Sequence, residues 1–138
     1  MPNINRIKLK QLGFRVTPAR LNVLEILTHT KRPLDAVEIQ AALRKQYQSV
    51  DQVTVYRMLE AFSQKGIVVK IQLQEGKFRY ELPREEHHHL ICDRCGVIQD
   101  VKGCPIPRYK DQIAKQQDFQ ITRHSLEFFG KCHKCQNI

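Results

Sequence analysis

Apolar positions in the first half of the chain recur at helical spacing. Ile4, Ile7 and Leu12 suit a short amphipathic helix, which Gly13 would end. Thr17-Pro18 then marks a helix start, because threonine can cap a first turn and proline is preset for the first helical position. Leu21, Leu24, Ile26 and Leu27 give this second helix its buried stripe. Asp35 followed by Glu38 resembles a capping box and opens a third helix, with Ile39, Leu43 and Tyr47 on one face. Asp51 can cap a fourth. There Val55, Leu59 and Phe62 share a face at i, i+4 and i+7, and Gly66 is the expected stop.

The period changes after Gly66. IVVKIQL and KFRYEL flank QEG, and two β-rich runs around a glycine-bearing turn predict a hairpin. Three helices followed by a hairpin is the order of a winged helix-turn-helix. Pro83-Arg84-Glu85-Glu86 is a polar break, so the expected division is 1–82, a hinge at 83–86, and 87–138. Beyond the break HLIC and VIQDV read as short strands, Tyr109 to Gln117 as a helix, and FQITRHSLEFF as a longer strand. The expected fold class is α+β: a winged helix-turn-helix and then a small α/β domain too small to stand on its own core.

Charge sharpens this division. The net charge of +9 favours a polyanionic partner, nucleic acid before acidic membrane. Residues 1–82 carry 14 Lys and Arg against 7 Asp and Glu, and residues 83–138 carry 9 against 7. A DNA-contact surface therefore belongs in the first half. No apolar run approaches the ~20 residues that span a bilayer. MPNINRIKLK lacks the apolar core of a secretory signal, so a cytoplasmic protein without a membrane partner is expected. Five cysteines in a reducing compartment do not suggest a disulfide framework.

Cysteine spacing is more informative than cysteine number. Cys92-Asp-Arg-Cys95 and Cys132-His-Lys-Cys135 are two C-x-x-C pairs with 36 residues between them. Each such turn aims two thiolates at one point, and two turns complete a zinc tetrahedron. A redox pair would sit at the start of a helix in a βαβ setting, and neither pair does. Four thiolates leave no open position for chemistry, so this zinc is structural. Cys104 is left over, either a free thiol in a loop or a soft ligand for a sensed metal.

His87, His88 and His89 precede Leu90-Ile91-Cys92 directly. On a strand His87 and His89 point together and His88 points the other way. With Glu81 and Asp100 they could form a mixed N/O site suited to zinc, iron or manganese, or they could be a solvated linker. A metal held by Glu81 on one side of the break and His87, His89 and Asp100 on the other would fix the angle between the halves. A hydrolase or oxidoreductase is not expected, since there is no H-E-x-x-H motif and no dedicated general base. A metal-independent zinc-ribbon module that binds nucleic acid would account for the charge and the cysteines, but not for the histidine–carboxylate group.

RVTPAR at 15–20, TVYRML at 54–59, HHHLICDRCG at 87–96 and HSLEFFGKCHKC at 124–135 resemble, in order, the motifs of the ferric uptake regulator family. The resemblance covers nearly the whole chain. It implies a homodimeric repressor, controlling metal uptake or homeostasis, that binds a palindromic double-stranded operator when its regulatory metal is loaded. It implies structural Zn2+ on Cys92, Cys95, Cys132 and Cys135, and Fe2+ or Zn2+, with Mn2+ as a further option, on Glu81, His87, His89 and Asp100. A peroxide-sensing relative is the alternative within the family. Tyr56 and Arg57 match recognition-helix residues that meet bases, and Arg15 matches a basic residue that reaches the minor groove. Thr54 and Arg20 complete the candidate DNA contacts. Two departures stand out: the stretch KRPLDAVEI offers Arg32 or Pro33 where the family supplies a histidine, and Pro107 stands where a glutamate is expected. The latter belongs to a third site that His88 and His124 match, with Cys104 as a possible substitute ligand.

Overall fold

The computed structural model describes residues 3–137, which form two compact units divided between Pro83 and Arg84. Met1 and Pro2, at the head of the segment read above for a signal, lie outside the described residues.

The first unit contains helices α1 (Ile4–Gln11), α2 (Pro18–Thr28), α3 (Ala36–Gln46) and α4 (Gln52–Gln64) and strands β1 (Leu34–Asp35), β2 (Val69–Gln72) and β3 (Phe78–Glu81). Its helix starts follow the side-chain chemistry. Thr17 Oγ1 accepts from Arg20 N at 3.3 Å, and Asp51 Oδ1 accepts from Thr54 N at 2.7 Å. At α3 the capping box is complete: Asp35 Oδ1 accepts from Glu38 N at 2.8 Å, and Glu38 Oε1 accepts from Asp35 N at 3.1 Å. Val23, Leu24, Ile39, Leu43, Val55, Leu59 and Phe62 are fully buried and form one core.

Three expectations about inward faces are corrected. In α1 the buried residues are Asn5 and Leu9, an i, i+4 pair, whereas Ile4, Ile7 and Leu12 are exposed. Leu21 is half-buried, and Val23 takes the place expected for it in the core. Tyr47 is exposed because it is the C-cap of α3, with extended backbone, and so has left the helical face of Ile39 and Leu43.

The expected hairpin is present, with Val69 opposite Glu81 and Gln72 opposite Phe78. The two-residue β1, too short to show a period, extends it to a three-stranded sheet in the order β1-β3-β2. A charged network locks β3 to the start of α3. The buried Arg79 guanidinium donates to both carboxylate oxygens of Glu75, at 2.8 and 2.9 Å, to Glu38 at 2.9 Å and to the Pro33 carbonyl at 3.1 Å. Lys77 Nζ donates to Asp35 Oδ2 at 2.7 Å. Burial and the adjacent Glu60 carboxylate push the Tyr80 phenol up to about 12, so it stays a neutral donor on the buried side of β3.

The second unit is a three-stranded sheet, β4 (His87–Cys92), β5 (Ile98–Lys102) and β6 (Glu127–Gly130), in the order β5-β4-β6. β4 pairs antiparallel with β5 and parallel with β6. Helix α5 (Pro107–Gln117) lies between β5 and β6 in sequence and has no buried residue. The long strand expected over FQITRHSLEFF is corrected: only Glu127–Gly130 is strand. β6 is extended where it meets β4, from His89 opposite Glu127 to Cys92 opposite Gly130. Asp100 is the middle residue of β5.

Asp35→Ala removes a cap bond and the Lys77 ion pair together. Burial alone would raise the Asp35 carboxyl, but the bonds from Lys77 and the Glu38 N–H outweigh it and hold it below the ordinary value. The expected loss is about 1–2 kcal/mol at neutral pH, read by urea denaturation. A depressed folded pKa stabilises above the unfolded value of ~3.9, so the gap between wild type and variant should close as pH falls below ~4.

Candidate metal centres

The four paired cysteines are gathered at one end of the second unit. Cys92 closes β4, and the chain turns back through Gly96, whose φ of 77° places it in the left-handed region. Cys92 N donates to the Val97 carbonyl at 3.0 Å and Gly96 N to the Cys92 carbonyl at 2.9 Å, which closes the first knuckle. Cys135 ends a 3-10 turn, His133–Cys135, with its N–H on the Cys132 carbonyl at 2.9 Å. Asp93 N donates to the Gly130 carbonyl at 2.7 Å and ties the two knuckles together. All four sulfurs lie within 4.8 Å of one another.

The donor set fits a tetrahedral zinc. A Zn–S bond of ~2.3 Å gives a sulfur–sulfur edge of ~3.8 Å. The Cys95 and Cys132 sulfurs are 3.7 Å apart. Cys132 N and Cys95 N each donate to Cys92 Sγ at 3.4 Å, and these two bonds lower its thiol to about 6. The adjacent Cys132 thiol, then burial, pushes Cys135 up to about 12. One site thus favours thiolate while its neighbour resists a further negative charge. A divalent cation resolves that conflict, because it stabilises all four thiolates at once.

The histidine run divides as β4 dictates. His87 and His89 share a face, their ring centroids 5.1 Å apart and nearly perpendicular. Asp100 is opposite His89 in the ladder, with Oδ1 at 3.8 Å from His89 Nε2, while Arg84 donates to Asp100 Oδ2 at 2.8 Å. Glu127, in register with His89 on β6, is on this face too. Glu81 ends β3 in the first unit. Arg32, in the stretch where the family supplies a histidine, is paired with Glu38.

His88 faces the other side and meets a group that sequence reasoning found incompletely. Glu86, His88, Cys104 and His124 place one ligand atom each within 4.8 Å of the others. The ladder runs one step past β4, with Gly103 N donating to the Glu86 carbonyl at 3.0 Å, which brings Cys104 alongside. Cys104 is thus not an isolated loop thiol, since its Sγ is 3.1 Å from His124 Nε2. Glu86 is the residue missed. Its signal was parity, two residues before His88 on one strand face, but it lay in the segment read as a hinge.

The candidate DNA contacts lie on α4 and at or just ahead of the start of α2. Tyr56 and Arg57 are exposed and Thr54 is half-buried, while Val55, Met58 and Leu59 face the core. Arg15 is exposed ahead of α2. Arg20 has a bracing role: it donates to the Arg15 carbonyl at 2.8 Å and stacks over Phe14.

The sequence model described as the ferric uptake regulator family matches residues 11–129. The chain belongs to this family. It is 33% identical to the ferric uptake regulation protein of Neisseria meningitidis, over 99% of this chain and 96% of that relative. It is 30% identical to the peroxide-responsive repressor PerR of Staphylococcus aureus, over 94% and 87%. The Vibrio cholerae ferric uptake regulator crystal structure superposes with a TM-score of 0.80 at 34% identity, covering 93% of this chain and 99% of that one. The fold is the family's α+β fold, a helical DNA-binding region followed by an α/β dimerisation domain with a four-cysteine cluster. Ferric uptake regulator proteins are metal-responsive transcription regulators, not enzymes, and bind operator DNA as dimers. No helix of the described residues is long and apolar enough to cross a membrane.

Removing the cysteine-bound metal should unfold the second unit. Cys95→Ser is expected to carry one zinc fewer per chain by native mass spectrometry and to lose amide exchange protection across β4, β5 and β6. Full protection in a zinc-free chain would show that the cluster is not a structural centre.

Proposed function

We propose that this regulator represses metal-homeostasis genes and that a divalent metal at Glu81, His87, His89 and Asp100 switches its operator binding. The observation that carries the reading is the shared face of His87 and His89 with Asp100 in register opposite. Two imidazoles and two carboxylates make a donor set for iron, zinc or manganese, with Fe2+ or Zn2+ the expected effector. Glu81 belongs to the unit that carries α4 and the histidines to the dimerisation unit, so a shared ion couples metal loading to DNA-binding geometry. The structural cysteine zinc is a separate centre in this scheme. In a cytoplasmic homodimer, two-fold symmetry matches a palindromic operator.

On α4, Arg57 suits guanine O6 and N7, and the Tyr56 ring suits a thymine methyl. Arg15 reaches the minor groove, Thr54 contacts the backbone or a base edge, and Arg20 holds the Arg15 segment in place. The similarity to a peroxide-responsive repressor supports a second reading, in which iron at the same histidines and aspartate oxidises its own ligands.

The deciding measurement is operator binding by the zinc-retaining protein at fixed salt, titrated separately with Fe2+ under anaerobic conditions, Mn2+ and buffered Zn2+. Tightening with one metal names the effector, and identical affinity throughout overturns the switch. Loss of binding after peroxide, with oxidised histidine in the mass spectrum, selects the peroxide reading. His89→Ala is expected to keep the dimer and its cysteine zinc but lose the metal response. Arg57→Ala should cost ~1–3 kcal/mol and relax preference at one base position, whereas uniform weakening over all sequences would assign Arg57 to phosphate.

A further inference from the structure

His89 on β4 and Asp100 on β5 are partners in the ladder, and the two oxygens of Asp100 have different neighbours. Oδ1 faces His89 Nε2 at 3.8 Å. That separation is too long for a hydrogen bond. It is short enough for one ion to touch both atoms, because two ligand bonds of ~2.0–2.2 Å reach ~4 Å end to end. Oδ2, the oxygen farther from His89, accepts from Arg84 Nη2 at 2.8 Å, the length of a charge-assisted bond. Arg84 stands just ahead of β4, and both residues of the pair belong to the second unit.

The consequence of this pair is geometric more than energetic. The side chains of Arg84 and Asp100 are 38% and 26% exposed, so solvent screens the attraction and the pair adds little to stability. What it fixes is which oxygen is available. The guanidinium carries donors only and keeps its charge across the physiological range, so it does not release Oδ2 by titrating. Because the bond is to the farther oxygen, Arg84 orients Oδ1 toward His89 and has no need to leave when that oxygen takes an ion.

We propose that Arg84 is a specificity-determining residue of the switch site: by occupying Oδ2 it limits Asp100 to one ligating oxygen and so favours zinc over manganese. Zinc is content with four donor atoms, whereas manganese favours six, mostly oxygens. A carboxylate that could offer two oxygens offers one while Arg84 holds it. The inference rests on the metal-switch reading of Glu81, His87, His89 and Asp100, and adds to it a residue that sets the choice of ion. Arg84 also brings a positive charge close to a cation site. That repulsion acts alike on two divalent ions, as does any loss of folding, so both cancel in the ratio of the two affinities. The ratio is therefore the quantity that reports the role of Arg84.

The full-length protein, reduced and checked by native mass spectrometry to retain its cysteine-centre zinc, is titrated separately with Zn2+ and Mn2+. Wild type, Arg84→Ala and Arg84→Lys are compared, and the binding that His89→Ala removes from each identifies the switch site. In Arg84→Ala the preference for zinc over manganese should fall by about 10–100-fold, the scale on which an outer partner of a ligand acts. Arg84→Lys keeps a charged donor for Oδ2 and should restore most of it. Co2+ supplies a second readout that a merely structural role would not move. Its visible bands are intense at four-coordinate sites and weak at six-coordinate ones, so those from the switch site should lose intensity in Arg84→Ala and recover in Arg84→Lys. An unchanged ratio overturns the proposal, as does an equal rise in affinity for both ions, which would make Arg84 only a competing charge. Cobalt bands identical in wild type and Arg84→Ala overturn it too. Each of these leaves the switch standing, whereas a wild type from which His89→Ala removes no metal binding overturns the switch reading and this inference together.

Discussion

The second unit depends on the meeting of four cysteine sulfurs more than on any packing contact within it. Its buried apolar side chains among the described residues are Ile91 and Ile98, beside Cys92 and Cys135, and α5 contributes none. Leu90, Val97, Phe128 and Phe129 are exposed in the single chain. So little burial cannot offset the ordering entropy of some fifty residues at ~1–2 kcal/mol each for backbone alone. A structural zinc site supplies ~10–16 kcal/mol of apparent binding energy, which becomes folding energy because the unfolded chain has no preformed site. It also joins the end of β4 to the end of β6 across a long connection. A domain this small, with so little apolar burial, commonly needs a staple or a partner to be stable.

The first unit is built the other way. Its helices bury Val23, Leu24, Ile39, Leu43, Val55, Leu59 and Phe62 in one core, and all four of its helix starts carry side-chain caps, from Asn3, Thr17, Asp35 and Asp51. On the proposed reading, that rigidity has a functional meaning on α4. The face holding Val55, Met58 and Leu59 is fixed, so the opposite face holding Tyr56 and Arg57 is presented at a defined angle. Base readout needs such positioning, because a bidentate arginine–guanine pair fails when the helix rotates. The basic residues around it only need to be near phosphate.

What could be read from the sequence was whatever depends on local chemistry. Thr17, Asp35-x-x-Glu38 and Asp51 announce helices because an orphan N–H needs an acceptor at a fixed offset. The C-x-x-C pairs announce a metal because the turn itself converges two thiolates. The alternation of His87, His88 and His89 follows from strand period alone. The parts missed are those set by partners distant in sequence. β1 exists because Leu34 finds Tyr80, and β6 is short because only Glu127–Gly130 runs beside β4. Glu86 was misjudged because its neighbours Cys104 and His124 are brought to it by a ladder step and a crossover, neither of which has a sequence signature.

These two kinds of information meet in β4. A strand has a period of two, so a slip of one residue would exchange its faces: His88 would turn toward Asp100, and His87 and His89 toward Cys104. Hard and soft donors would then be mixed on both sides. Register in a half-exposed three-stranded sheet is weakly specified by its few apolar residues. Here it is pinned at one end, because Cys92 is both the last residue of β4 and a member of the cysteine cluster, with its N–H on Val97 and the next N–H on Gly130. The structural centre therefore does more than hold the unit together. By fixing where β4 ends, it fixes which histidine faces which carboxylate.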